Sequence, residues 1–174
     1  MKMQNKNNSE KGLSILEFAI ILPLFFLLLF GIIEFGVLMY DKAILTNASR
    51  EGARAGALMV NPEEWGGYNH PNEDHIKQVA LDYAKNYLVS FKPDESTFDL
   101  GDINVFWLDK AFTSWDTGWE SYQKNYEDTV SGDKVVVELI YEFKFLTFSN
   151  LIALLGGSFK DGIPLNAKTT MRLE

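Results

Sequence analysis

The stretch from Leu13 to Ile33, LSILEFAIILPLFFLLLFGII, holds 21 residues and a single charge, Glu17. At the helical rise it would be about 31 Å long, close to the roughly 30 Å hydrocarbon core of a bilayer. Between Glu17 and Glu34 lie 16 residues without a charge. A helix apolar on every side leaves no polar face for water, so the core helix of a soluble domain fits poorly. A secretory signal peptide also has a basic start and an apolar run, but its run is only about 7 to 15 residues long. The sequence therefore predicts one membrane-spanning helix near the N-terminus.

Charge sets the expected orientation. Residues 1 to 12 carry Lys2, Lys6 and Lys11 against Glu10, or 3 − 1 = +2, whereas residues 41 to 174 hold 13 basic and 21 acidic groups, or −8. Basic flanks stay in the cytoplasm, which places everything after Tyr40 outside the cytoplasmic membrane. The same acidic balance, 24 Asp and Glu to 16 Lys and Arg over the chain, argues against a nucleic-acid surface. Without cysteine the chain has no disulfide, no thiolate metal site and no lipidated cysteine, so packing must hold its folded part.

A carboxylate inside a spanning helix costs several kcal/mol unless it is paired or reaches the interface, which makes Glu17 the most telling residue of the run. It lies five positions after Gly12, and Lys11-Gly12 directly precedes the apolar stretch. This arrangement resembles the leader junction of type IV pilins. The resemblance implies that a prepilin peptidase cuts after Gly12, leaving Leu13 as a new, positively charged N-terminus. Glu17 of one subunit could then meet the amine of a neighbour, each offsetting the other's burial and setting the axial register. A carboxylate that snorkels to the interface or is protonated is the plainer alternative. Pro23 frees the Ala19 carbonyl and is expected to kink or loosen the helix.

Beyond the membrane, EFGVLMYDKAILTNASREGARAGALMV keeps helical character to about Met59, where Asn61-Pro62 would stop it. Ala48, Gly52 and Gly56 form an i, i+4 stripe smooth enough for close packing, and Arg50 and Arg54 form a row on another face. Gly12, Glu17-Phe18-Ala19, Pro23, Gly31 to Gly36 and Arg50-Glu51-Gly52-Ala53-Arg54 occur in an order that resembles the TadE-like minor pseudopilins. That resemblance implies a subunit of a Tad (Flp) type IV pilus, resident in the inner membrane or carried into the pilus. Its implied partners are other TadE- or TadF-like pseudopilins, the major Flp pilin, the prepilin peptidase, the inner-membrane assembly platform and membrane lipid. Arg50 and Arg54 would either pair with acidic groups of a partner or make local salt bridges.

The remainder reads as an outer domain. Ile76, Val79, Ala80, Tyr83, Tyr87 and Leu88 give Asn72 to Val89 a helical apolar face. Phe98 to Trp107 reads as a strand broken near Gly101. Lys134 to Phe148 is the clearest strand, with Val135, Val137, Leu139, Tyr141, Phe143 and Phe145 on one face and Glu138, Glu142 and Lys144 on the other. Ser149 to Leu155 is short and apolar before Gly156-Gly157, and Leu165 to Leu173 alternates as a third strand. The expected fold class is α+β: a basic leader (1–12), a transmembrane helix (13–40), its extension (41–60), and a pilin-like domain (61–174) with a second helix and a small antiparallel sheet laid on the stripe.

Between Asp109 and Ser131, Trp115, Trp119, Tyr122 and Tyr126 stand among acidic and polar residues, as a partner-recognition surface or as a small core under a long loop. No phosphate-cradling glycine loop, nucleophile elbow or H-E-x-x-H helix occurs, so neither catalysis nor a cofactor is expected. His70 and His75, with Glu73 and Asp74 between them, form the one metal-like group and read more simply as a helix start. A second reading of the whole chain is a membrane-tethered binding module that never enters a filament.

Overall fold

The computed structural model describes residues 7–58, 73–89, 98–115, 119–125, 128–145 and 162–173. Two helices, α1 (Asn7–Ala57) and α2 (Glu73–Tyr87), accompany four strands: β1 (Ile103–Leu108), β2 (Gln123–Lys124), β3 (Lys134–Phe143) and β4 (Ile163–Arg172). The sheet is antiparallel throughout, in the order β2-β1-β3-β4. The expected α+β class is thus present, with one strand more than the sequence predicts. Val37–Lys144 and Asp161–Glu174 form one compact unit, and the helix up to Gly36 lies in a second.

From Leu38 onward α1 buries one face. Leu38, Asp41, Ile44, Leu45, Ala48, Ser49 and Ala53 are all buried, at the three- and four-residue spacing of a single stripe. The small residues in that stripe set how near other elements can come. A Cβ at Gly52 would stand 3.0 Å from the Ala80 Cβ of α2, 3.3 Å from the Ile76 carbonyl oxygen and 3.4 Å from Val137 of β3. At Gly56 it would stand 2.9 Å from Ile76 and 3.1 Å from Val135. One helix face therefore receives both α2 and the sheet. Further contacts are the Ser49 and Thr169 hydroxyls, 2.6 Å apart, and the Lys42 ammonium, which donates to the Asn166 carbonyl. The Val89 N–H donates to the buried Asp41 Oδ1 at 3.1 Å and ties the end of α2 to α1.

α2 buries Ile76, Ala80, Leu81 and Ala84, while Glu73 and Asp74 place negative charge at its positive N-terminal end. On β3 the side chains alternate: Val135, Val137, Leu139, Tyr141 and Phe143 are buried on the helix-facing side, with Phe98 edge-on to Tyr141 at 5.8 Å. Ile103, Val105 and Trp107 of β1 pair opposite Leu139, Val137 and Val135 and so extend the same face. The strand expected over Phe98 to Trp107 begins later, because Leu100–Asp102 forms a short helical turn in which the Gly101 N–H donates to Asp99. Predicted features at residues 59–72 and 146–161 lie outside the described residues.

The opposite sheet face is less polar than its alternation suggests. Val136, Leu108 and Phe112 form a second small core, with Phe106 against it. Trp115 packs edge-on to Phe112 at 4.8 Å. Lys168, paired with Glu138 at 3.3 Å, lies over the Trp115 ring at 3.8 Å.

One carboxylate gathers the loops at this end of the sheet. Asp133 is fully buried; its Oδ1 accepts from the Lys110 N–H at 3.0 Å, and its Oδ2 accepts from the Val130 N–H at 3.0 Å and the Lys124 ammonium at 2.8 Å. Lys124 also reaches Asp109 at 3.2 Å, so the two-residue β2 is clamped to the loop after β1. The turn needs Gly132, whose φ of 97° lies in the left-handed region. Leu173 closes the arrangement, donating its N–H to the Asp133 carbonyl at 2.8 Å and accepting from the Gly132 N–H at 3.0 Å.

Burial alone would raise the Asp133 pKa, but the bonds from Lys124, Val130 and Lys110 outweigh it and hold the carboxyl below its ordinary value. The Ala111 N–H and then Lys124 hold Asp109 low as well, while the bond to Asp133 raises Lys124. A folded-state pKa below the unfolded one stabilises above the unfolded value, near 3.9 for Asp, and the contribution is lost as pH falls through the folded value. For Lys124 the sign reverses: its contribution is complete below about 10.4 and is lost as pH rises through the folded value. The outer unit is predicted to lose stability at both limits, and in pH-resolved urea titrations of the full chain in detergent Asp133→Ala should flatten the acid limb. At neutral pH that change should cost about 3 kcal/mol by stranding buried donors and the lysine. In the same assay Gly52→Val should cost about 2 kcal/mol through overpacking. Gly36→Ala, which meets nothing within 4 Å, should change stability by about 1 kcal/mol or less.

Candidate functional site

Helix α1 before the packed stripe is the part of the chain whose chemistry asks for an environment other than water. Among the described residues it is the one helix long and apolar enough to cross a membrane. Leu13, Ile15, Leu16, Phe18, Ile20 and Ile21 are exposed, and so are Leu24, Phe25, Phe26 and Leu28 further along. Exposure falls on every side of the helix, as it must if the surrounding medium rather than a protein core is to solvate it. The rings of Phe26 and Phe30 stack at 5.9 Å, with Phe25 edge-on to Phe26 at 6.0 Å, giving this surface an aromatic ridge.

Gly12 lies within the helix with no heavy atom within 4 Å of where its Cβ would be. Helix α1 begins before it, at Asn7, so the basic leader and the apolar run share one helical element at the junction. Leu13 and Glu17 are both exposed and stand at i and i+4, on the same face one turn apart. The Gly12-to-Glu17 spacing corresponds to about 7.5 Å along the axis. Pro23 is exposed inside the helix, and its missing N–H leaves the Ala19 carbonyl without the usual partner.

The other singled-out residues fall on two surfaces. Ala48, Gly52 and Gly56 are buried inside the outer unit, the two glycines against α2 and β3. Arg50 and Arg54 are exposed on the same helix, and neither has an ion-pair or hydrogen-bond partner among the described residues. Trp115 is part-exposed on the outer sheet face and held by Phe112 and Lys168. Trp119 begins a short helical turn that leads into β2, and its side chain is outside the described set. His75 sits in the first turns of α2, whereas His70 lies outside the described residues.

Sequence reading passed over two acidic residues of α1, Glu34 and Asp41, which are both buried. Asp41 falls in step with Leu38 and Leu45, and that spacing is the signal that places it on the buried stripe rather than in solvent.

Against known proteins, the TadE-like protein family model matches residues 12–54, about a quarter of the chain. The matched span starts at Gly12 and ends at Arg54. It thus contains Glu17, Pro23 and the Arg50-to-Arg54 segment. No curated protein and no solved structure matches the chain. By its segment from Gly12 to Arg54 the chain is similar to the TadE-like proteins.

Proposed function

We propose that the chain is a minor pseudopilin: a single-pass subunit that enters the cytoplasmic membrane with residues 1–12 inside and its outer domain (61–174) outside, and that serves assembly of a Tad pilus. The carrying observation is the Gly12/Glu17 pair at the head of an all-round apolar helix, within the span that the TadE-like model matches. The +2 leader and the acidic remainder support the orientation. The role is structural, with no reaction catalysed.

In this reading the prepilin peptidase cuts between Gly12 and Leu13. The open surroundings of Gly12 suit a bond that a membrane protease must reach. Cleavage exposes an ammonium on Leu13, and in lipid neither that charge nor Glu17 is stable alone. Pairing Glu17 with the amine of an adjoining subunit satisfies both, and the pair forms at only one axial offset. Pro23, next to the aromatic ridge, gives the helix a place to loosen as it leaves lipid for a bundle of like helices. The partners follow from this role: other TadE- or TadF-like pseudopilins, the major Flp pilin and the inner-membrane platform.

N-terminal sequencing of the protein from cells with an active prepilin peptidase should give Leu13 as the first residue, and Gly12→Ala should leave Met1 in place. Glu17→Leu should insert and be cut normally yet lose most of its incorporation into sheared pilus fractions. An uncut chain in functional fibres would sink the proposal and favour a tethered binding module.

A further inference from the structure

The outer unit carries two complementary charged features at different levels along one axis. Residue contacts fix the direction of α1 against the sheet: Lys42 reaches Asn166, whose register partner is Ile140, whereas Gly52 lies beside Val137 and Gly56 beside Val135. Moving along α1 away from Lys42 therefore means moving from the Ile140 end of β3 to its Val135 end. Arg50 and Arg54 stand about 12 to 18 Å further along than Lys42. The Ile140 end holds a recess lined by Asp99, Asp102, Glu142, Lys144, Gly162 and Pro164. Its charged groups sum to 1 − 3 = −2, against +2 for the arginines.

Among the described residues, nothing within the fold consumes the arginines. Both are exposed and unpaired among the described residues, although the chain as a whole carries −8 and Glu51 stands beside them. Arginine presents a planar fork of donors suited to carboxylates, and two forks one turn apart form a row rather than a point. We infer that the Arg50/Arg54 row of one copy docks on the Asp99/Asp102/Glu142 recess of a second copy of this chain. Because the two features differ and lie at different levels, the contact is head-to-tail. Contacts of that kind leave one unmatched surface at each end, and they propagate as an open series where the rotation between copies does not close a ring.

Exposed ion pairs contribute little affinity singly, so the row selects orientation and partner level while the helices supply cohesion. The contact rests on the assembly reading, because copies held at one height in a membrane cannot stack end on end.

The chain has no cysteine, so introduced thiols report without background. Two tagged full-length copies would be co-expressed with the pilus system, one with Leu58→Cys beside the arginine row and one with Ile163→Cys at the rim of the recess. Both positions are exposed. Mild oxidation should link the mixed pair and not two copies of either single variant. Arg50→Glu with Arg54→Glu on the first copy should abolish the link, and Glu142→Lys with Asp102→Lys on the second, which turns the recess from −2 to 3 − 1 = +2, should restore it. A link that survives charge reversal, or equal linking between two Leu58→Cys copies, overturns the head-to-tail contact. No link in protein beginning at Leu13 overturns the contact alone, whereas no link in protein still beginning at Met1 overturns the assembly reading and the contact with it.

Discussion

One helix must satisfy two different media, and the rest of the structure follows from where it changes over. Residues 12–33 of α1 are apolar and exposed with few exceptions, so they require a nonaqueous surrounding. From Leu38 the same helix narrows its apolar character to one stripe and buries it against protein. Gly52 and Gly56 let that stripe take α2 and β3 at near-minimal separation, where even a methyl group would meet its neighbours at about 3 Å. Within the outer unit, α2 and the sheet are thus built directly onto the helix segment from Leu38 onward.

The sheet repeats this economy on its far side. A chain without disulfides must secure a long loop after β1 by other means. Here Phe112 and Trp115 cover Val136 and Leu108, while Asp133, Lys124 and Asp109 tie the loop ends to the turn before β3. The apolar cover and the ion network secure the same loop, with Asp133 buried and Lys124 and Asp109 part-exposed. Neither would persist alone: a buried carboxylate without its donors is costly, and an aromatic cap without a fixed backbone has no defined seat.

How much of this was legible in the chain depends on period and range. The spanning helix is readable because 16 successive uncharged residues admit no other solvent. The buried face of β3 is readable because an apolar alternation sustained over ten residues has a unique inward side. Ala48, Gly52 and Gly56 announce close packing, but not that α2 and β3 share the one stripe. β2 escapes notice because two residues have no period. Asp133 looks like any turn acid, since its donors at residues 110, 124 and 130 converge only once the sheet has formed. Val136 reads as an outward position on β3 and is buried by Phe112, which arrives from a loop whose path no local pattern specifies. The family resemblance likewise concentrates where the residues do two jobs at once, from Gly12 to Arg54, and thins where only a core is required.

The two hydrogen bonds between Leu173 and the Gly132–Asp133 turn have a further effect on the long β3–β4 pair. A slide of two residues would keep every side chain on its own face, so the alternation alone does not forbid it. The Leu173 latch does, because only one alignment delivers both its N–H and its carbonyl to the turn. Phase is thus set at the end of the pair where Lys134 meets Arg172, and any slide must break both of these bonds before it can gain a new side-chain contact.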